Sequence, residues 1–241
     1  MKVGFPVTLS GQIGLEKQLD SIAHNVANAQ TVGFRGEGLK FSSVISTVGS
    51  RSVSYASSGE TFISRNAGEI VKTGNVLDVA VRGDGWFAIQ TPNGTAYTRD
   101  GRFRIIPDGS LQTLTGHLVL DVGRAPIQLD PKAGPPKISS DGMITQNKKQ
   151  VSAIGLFKIP PNANLVRYDT SSVTTGDAVV GIVDFSSAGV LQGFVEQSNV
   201  NAIMEMSHLI QVSRAFDMLN TLTNESEKAA LEAIKTLGAR V

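Results

Sequence analysis

The sequence predicts an α+β fold: long N- and C-terminal helices forming a coiled-coil-like layer, with a central all-β domain, antiparallel and rich in Gly/Asp turns. Three observations carry this. Of 25 Gly in 241 residues, 21 lie between Gly33 and Gly193, as do eight of the nine Pro. From Phe194 to Leu237 there is neither Gly nor Pro. In between, short apolar runs alternate with Asn-Gly and Asp-Gly pairs, the strongest short hairpin punctuation.

The first helix is expected over about Leu9 to Gln30. Leu15, Leu19, Ile22 and Val26 step by four, three and four, with Ala23 and Ala27 beside them, and so form one apolar face. Gly11 and Gly14 weaken its first turns, which leaves the pattern clearest from Leu15 onward. Gly33 is placed to stop the helix in a left-handed conformation.

The organisation that follows is 1–35 for the N-terminal helix and the signature after it, 36–69 for a Ser- and Gly-rich extended connector, 70–193 for the β domain and 194–241 for the C-terminal helix. In the β domain, Val76-Leu77-Asp78-Val79-Ala80-Val81 and Trp86-Phe87-Ala88-Ile89-Gln90 flank Gly83-Asp84-Gly85. Asn93-Gly94 turns the chain back into Tyr97-Thr98-Arg99, and Asp100-Gly101, Asp108-Gly109 and Asp141-Gly142 repeat that chemistry. About 8–12 strands in an antiparallel meander or small barrel are expected across 70–190.

The breaker-free C-terminal stretch suits one helix, whose 199–237 part would extend about 58 Å. Its seam runs Ala202, Met206, Leu209, Val212, Phe216, Leu219, Thr223, Ser226, Ala230, Ala233 and Leu237 at intervals of three or four. Ser198 or Asn199 is the expected cap. Two apolar stripes at opposite chain ends, one of them this long, favour assembly over packing on a single body.

With 41% hydrophobic and 18% charged residues the chain is not disordered. Lys+Arg number 22 against 21 Asp+Glu, so nothing calls for nucleic acid or an anionic membrane as partner. The absence of Cys removes disulfides, thiolate metal sites and cysteine nucleophiles. The opening residues, interrupted by Pro6, lack the apolar block of a secretory signal. No run approaches the roughly 18 apolar residues of a span, so direct membrane insertion is not expected.

Chemistry-bearing patterns are sparse. Gly83-Asp84-Gly85-Trp86-Phe87-Ala88 matches G-x-G-x-x-A formally. A strand and hairpin follow it, though, instead of the helix a pyrophosphate needs, so a tight turn is expected. His24, His117 and His208 have no partners at metal-ligand spacing. Asp78, Asp84, Asp100 and Asp108 fit turn roles. No catalytic, metal or cofactor site is expected, and the chain does not read as an enzyme.

Four segments carry a resemblance. Asn25-Val26-Ala27-Asn28-Ala29-Gln30-Thr31-Val32-Gly33-Phe34-Arg35 resembles the A-N-x-x-T-x-G-F-K signature of flagellar rod and hook proteins, with Arg35 for the usual Lys. Thr73-Gly74-Asn75-Val76-Leu77-Asp78-Val79-Ala80-Val81, then Gly83-Asp84-Gly85-Trp86-Phe87, is similar to the family's T-G-N-P-L-D-L-A-I-x-G-x-G-F-F. There Val76 stands for Pro and Trp86 for Phe. Tyr97-Thr98-Arg99-Asp100-Gly101-Arg102-Phe103 resembles Y-T-R-x-G-x-F, and Glu196-Gln197-Ser198-Asn199-Val200-Asn201 resembles E-x-S-N-V-N. The length suits a rod protein better than a hook protein. The Glu205-Met206 to Phe216 stretch and the charged tail after Asn224 lean towards the proximal rod, with the distal rod as near neighbour.

The resemblance implies a structural subunit of the periplasm-spanning basal-body rod, transmitting torque to the hook. It implies export through the flagellar type III apparatus without a cleaved signal. The implied partners are the chain itself, other axial proteins and the surrounding rings. Leu15, Leu19, Ile22 and Val26 would meet Met206, Leu209, Phe216 and Leu219 in the inner layer as the assembly interface. Asn25, Asn28, Thr31, Gly33 and Phe34, with Thr73, Gly74, Asn75, Ser198 and Asn199, would be the motif positions. A secreted β-rich surface-binding module is the alternative from another class.

Overall fold

The computed structural model describes residues 4–48, 51–56 and 59–238. Two helices bracket an otherwise β chain: α1, Gly4–Ala27, and α2, Ala202–Gly238. The strand pairings whose direction is resolved are all antiparallel. The chain folds as two units. One comprises residues up to 27, 37–62 and 201 onward; the other comprises 28–36 and 63–200.

In the first unit α1 and α2 pack against each other. Gln12 donates through Nε2 to Asn220 Oδ1 at 2.7 Å, and Asn25 through Nδ2 to Glu205 Oε2 at 3.5 Å, which makes the helices antiparallel. That register sets Leu15 opposite Phe216, Leu19 opposite Val212 and Ile22 opposite Leu209. α1 begins at Gly4, five residues before the expected Leu9, and Gly11 and Gly14 within it serve close packing. A Cβ on Gly11 would meet Leu219 at 3.3 Å, and one on Gly14 would meet Phe41 at 3.2 Å. Tertiary packing here overrides low helix propensity.

Helix α1 ends at Ala27, six residues before Gly33, so Gly33 is not its C-cap. The cap of α2 also differs from the expected Ser198 or Asn199. Asn201 Oδ1 accepts from the N–H groups of Ile203 and Met204 at 3.1 and 3.2 Å. Asn201→Ala is expected to cost about 1 kcal/mol, read as a lower urea midpoint in far-UV circular dichroism.

Within 36–69 the described residues include four strands. Strand Ser43–Val48 forms a hairpin with Arg51–Ala56, and Glu37–Lys40 neighbours Glu60–Ile63. Ahead of α2, Phe194–Glu196 is a strand paired with Ile70–Lys72.

The second unit is built on a nine-stranded sheet whose path runs from Val166–Arg167 through Ser172–Thr174, Gly94–Thr98, Trp86–Thr91, Leu118–Val119 and Leu111–Thr113 to Phe103–Ile105. Leu156–Lys158 joins at Trp86–Phe87 and brings Val180–Gly181 with it. Fifteen strands lie between Ile70 and Gln192, more than the expected 8–12, and twelve of them are only two to four residues long because turns interrupt them. Lys137–Ile138, Met143–Gln146 and Lys149–Ala153 form a separate three-stranded sheet with a register shift after Ile144. One core cluster gathers Val79, Phe87, Phe103, Leu111, Ile144 and Leu156. A second gathers Trp86, Tyr97, Leu120, Phe157 and Val173. Phe87 meets Phe103 edge-on, with centroids 5.2 Å apart.

Candidate functional site

The signature segments, far apart in sequence, converge on one carboxylate in the second unit. Glu196, 1% exposed, ends the strand paired with Ile70–Lys72. Its Oε1 accepts from the Gly68 N–H at 2.9 Å and lies 2.7 Å from Arg35 Nη2. Its Oε2 accepts from Arg99 Nη1 at 2.9 Å, and its backbone carbonyl accepts from the Gly33 N–H at 2.7 Å. Arg99 spends its other terminal nitrogen on the Gly83 carbonyl at 2.9 Å. Both guanidiniums stand over the Trp86 indole, Arg35 at 5.6 Å and Arg99 at 5.2 Å from the ring centroid. Cations over an indole face gain from its quadrupole, more so when desolvated.

The charge count at this clamp is two cations to one anion, all buried. Burial, with repulsion from Arg99, pushes the Arg35 guanidinium down to about 10 despite the attraction of Glu196. Burial likewise lowers Arg99. Arg35 Nη2 is close to the carboxylate but misaligned for a hydrogen bond, and neither Arg35 Nε nor Arg99 Nε has a hydrogen-bond partner.

Arg35 and Trp86 are two of the departures from the family pattern noted above, and they touch. A fork of five donors and a larger aromatic face replace an ammonium and a phenyl ring at the same spot. Val76, the third departure, is exposed, and its carbonyl accepts from Gln192.

The motif residues have local backbone tasks. Asn25 locks onto Glu37 reciprocally, its Nδ2 donating to the Glu37 carbonyl and its Oδ1 accepting the Glu37 N–H, both at 2.8 Å. Thr31 closes a turn on Asn28 through its N–H and its hydroxyl. Gly33 has φ 71°, and a Cβ there would fall 2.2 Å from the Asp100 nitrogen. Left-handed backbone and close approach both require glycine. Gly33→Ala is expected to cost about 2 kcal/mol or more, seen as an earlier thermal transition. Phe34, 0% exposed, lies under the Arg167 guanidinium, 4.5 Å from its ring centroid.

Asn199 ties the last motif to the first. Its Oδ1 accepts the Gly36 N–H at 2.7 Å, and its Nδ2 donates to Ser64 Oγ and to the Asn66 carbonyl. Ser198 Oγ accepts the Val200 N–H. Thr73 and Asn75 both donate to the Asp78 carboxylate, at 2.7 and 3.0 Å. The N–H groups of Thr73 and Gly74 share the Gly193 carbonyl.

Of the expected interface residues, Ile22 is buried, and Leu15, Leu19, Val26, Leu209, Phe216 and Leu219 are half-buried in the helix-paired unit; Met206 is exposed. The side chains of Ala230 and Leu237 fall outside the described residues. His24 lies 3.5 Å from Glu37, His117 3.9 Å from Asp169 and His208 4.0 Å from Glu205. Among the described residues no three His, Asp or Glu gather as metal ligands, and no helix is long and apolar enough to cross a membrane. Sequence reasoning missed the Arg35–Glu196–Arg99 clamp. The signal available was that three of the four motifs each contain one of its charged residues, Arg35, Arg99 and Glu196.

Comparison with known proteins accounts for this convergence. Residues 80–146 match the family described as the flagellar hook protein FlgE/F/G D1 domain. Residues 191–226 match the flagellar basal body rod FlgEFG protein C-terminal family. The chain is similar to the flagellar basal-body rod protein FlgF of Mesorhizobium japonicum, 50% identical over 234 residues and 97% of each chain. It is 47% identical to FlgF of Rhizobium meliloti over 238 residues, 99% of each chain. Against the rod protein FlgG of Bacillus subtilis identity falls to 30% over 255 residues, 94% of this chain and 96% of that one. The joined signature segments and these near full-length likenesses agree: the chain belongs to the flagellar basal-body rod protein family, as a FlgF-like member.

Proposed function

We propose that the chain is a structural subunit of the flagellar basal-body rod, in its proximal segment, and that it polymerises through its terminal helices into the axial tube that carries motor torque to the hook. The observation that carries this is a second apolar row on α2. Ile203, Ile210, Met218 and Leu222 are 74%, 53%, 67% and 55% exposed, on the side away from Leu209, Val212 and Phe216. A helix of 37 residues with one face on α1 and another bare is built for two partners. A second copy supplies the other. Repeated head-to-tail, such a contact leaves the assembly open and axial.

In this reading Leu15, Leu19, Ile22 and Val26 with Leu209, Phe216 and Leu219 hold the helix pair, a short coiled-coil-like layer. Met206 belongs to the outward side. Past the level of the start of α1, α2 continues with Leu231 and Ile234 both exposed, which lengthens the surface offered to neighbours. Export by the flagellar type III apparatus and contact with the surrounding rings follow from the same reading. The higher identity to FlgF than to FlgG favours the proximal over the distal segment.

Quantitative mass spectrometry of isolated basal bodies tests the assignment. Presence at low copy number alongside other rod proteins is the expected result. Absence from intact basal bodies would overturn it.

A further inference from the structure

We propose that the second unit carries an anion pocket, beside the clamp, that takes a carboxylate on a short apolar stem. The site is a cavity of about 230 Å³ whose charged lining is Arg65, Arg99, Lys158 and Asp84. Its apolar walls are Trp86, Ile159 and Pro161. Arg65 is held at the wall by donating to the Ile159 and Ala163 carbonyls, at 3.4 and 2.8 Å. Arg99 is 3% exposed, and its Nε has no hydrogen-bond partner. Arg35, also short of partners, stands over the Trp86 ring.

The local charge does not balance. Arg35, Arg65, Arg99 and Lys158 outnumber Glu196, Asp84 and the more distant Asp184, and Glu196 is consumed by the clamp. Asp84 is exposed, and its carboxylate makes no hydrogen bond among the described residues. It acts at a distance, its charge favouring the charged forms of Arg35, Arg65 and Arg99. A surplus of buried and half-buried cations attracts an anion from outside. Guanidinium forks match carboxylate geometry. The flat indole, the isoleucine and the proline suit the methylenes of a stem, which a bare phosphate does not have. A wider depression of about 480 Å³ shares Asp84 and Lys158 with the cavity and is lined further by Ile182 and Val183. It also holds Asp184, whose carboxyl is kept low by hydrogen bonds from Ser186. The approach is thus flanked by two carboxylates and Lys158, and Arg65 and Arg99 lie deeper.

Two sources offer this chemistry: a Glu or Asp side chain of a neighbouring rod subunit, or a small dicarboxylate in solution. The pocket itself does not depend on the rod reading; only the choice of source does.

Trp86 is the single Trp of the chain, so its fluorescence reports on the pocket. The experiment titrates the full-length protein with glutarate and with inorganic phosphate at constant ionic strength, followed by Trp86 emission and by calorimetry. Saturable glutarate binding, tighter than phosphate, is expected. Asp84→Asn should tighten it and Lys158→Gln weaken it, each by about five- to tenfold. Both residues are exposed, so neither change threatens folding. No saturation by either method, tighter phosphate than glutarate, or variants that move affinity in the same direction would overturn the proposal. With the binding established, reduced incorporation of Lys158→Gln into basal bodies assigns the carboxylate to a neighbouring subunit. Normal incorporation assigns it to a free ligand.

Discussion

Replacing Glu196 by Gln is expected to lower the stability of the second unit by about 3–5 kcal/mol. For a unit of this size that is a fall of about 10 °C in Tm. The variant leaves Arg35 and Arg99 buried side by side with no counter-charge, over an indole that attracts them only weakly. Arg35→Met is expected to behave differently. It leaves Arg99 and Glu196 as a neutral pair and fills the space beside Trp86 with apolar atoms, so a change within about 1 kcal/mol is expected. The depressed Arg35 value gives the same sign. A base whose folded value is pushed down to about 10 adds stability only above its ordinary range, and that contribution is lost as pH falls through about 10. At pH 7 the folded unit therefore carries the Arg35 charge at a cost. Paired urea denaturation of the two variants checks this, and equal losses would count against the two-to-one charge count.

The second large effect concerns assembly. Ile210→Asp places a charge on the exposed side of α2, where the free subunit has water to solvate it. Helix content and thermal stability are expected to stay within about 0.5 kcal/mol of the parent, while rod incorporation and motility are lost. Phe216→Asp and Leu209→Asp are also expected to abolish assembly, but by another route. They charge the face turned to α1, so part of the helical signal should melt with them while the β body stays folded. Circular dichroism beside basal-body mass spectrometry separates the two routes. Incorporation of Ile210→Asp at parental copy number would remove the outward row from the interface.

Much of the architecture was legible because it rests on local signals. The breaker-free run from Phe194 to Leu237 announced α2, and the four-three-four spacing from Leu15 to Val26 announced α1. The start of α1 was legible only to within a few residues, since Gly11 and Gly14 weaken the pattern there until Leu219 and Phe41 are seen packed against them. The site was legible only as separate motifs. Arg35, Arg99 and Glu196 are 64 and 97 positions apart along the chain, and nothing in periodicity or spacing pairs a guanidinium with a distant carboxylate. Asn199 shows the same limit. As a sequence position it reads as a helix cap, whereas in the fold it fastens Gly36, Ser64 and Asn66.

The helix pair joins the two ends of the chain: Gln12 meets Asn220 across 208 positions. Closing so long a loop is entropically costly until the intervening chain has condensed. During synthesis, and again during emergence from any narrow channel, one of the two helices is present long before the other. The helix pair therefore forms last, after the chain between its two members has condensed. On the proposed rod reading, a subunit would then offer its paired helices to neighbours only once it is complete, a timing written into connectivity with no dedicated residue.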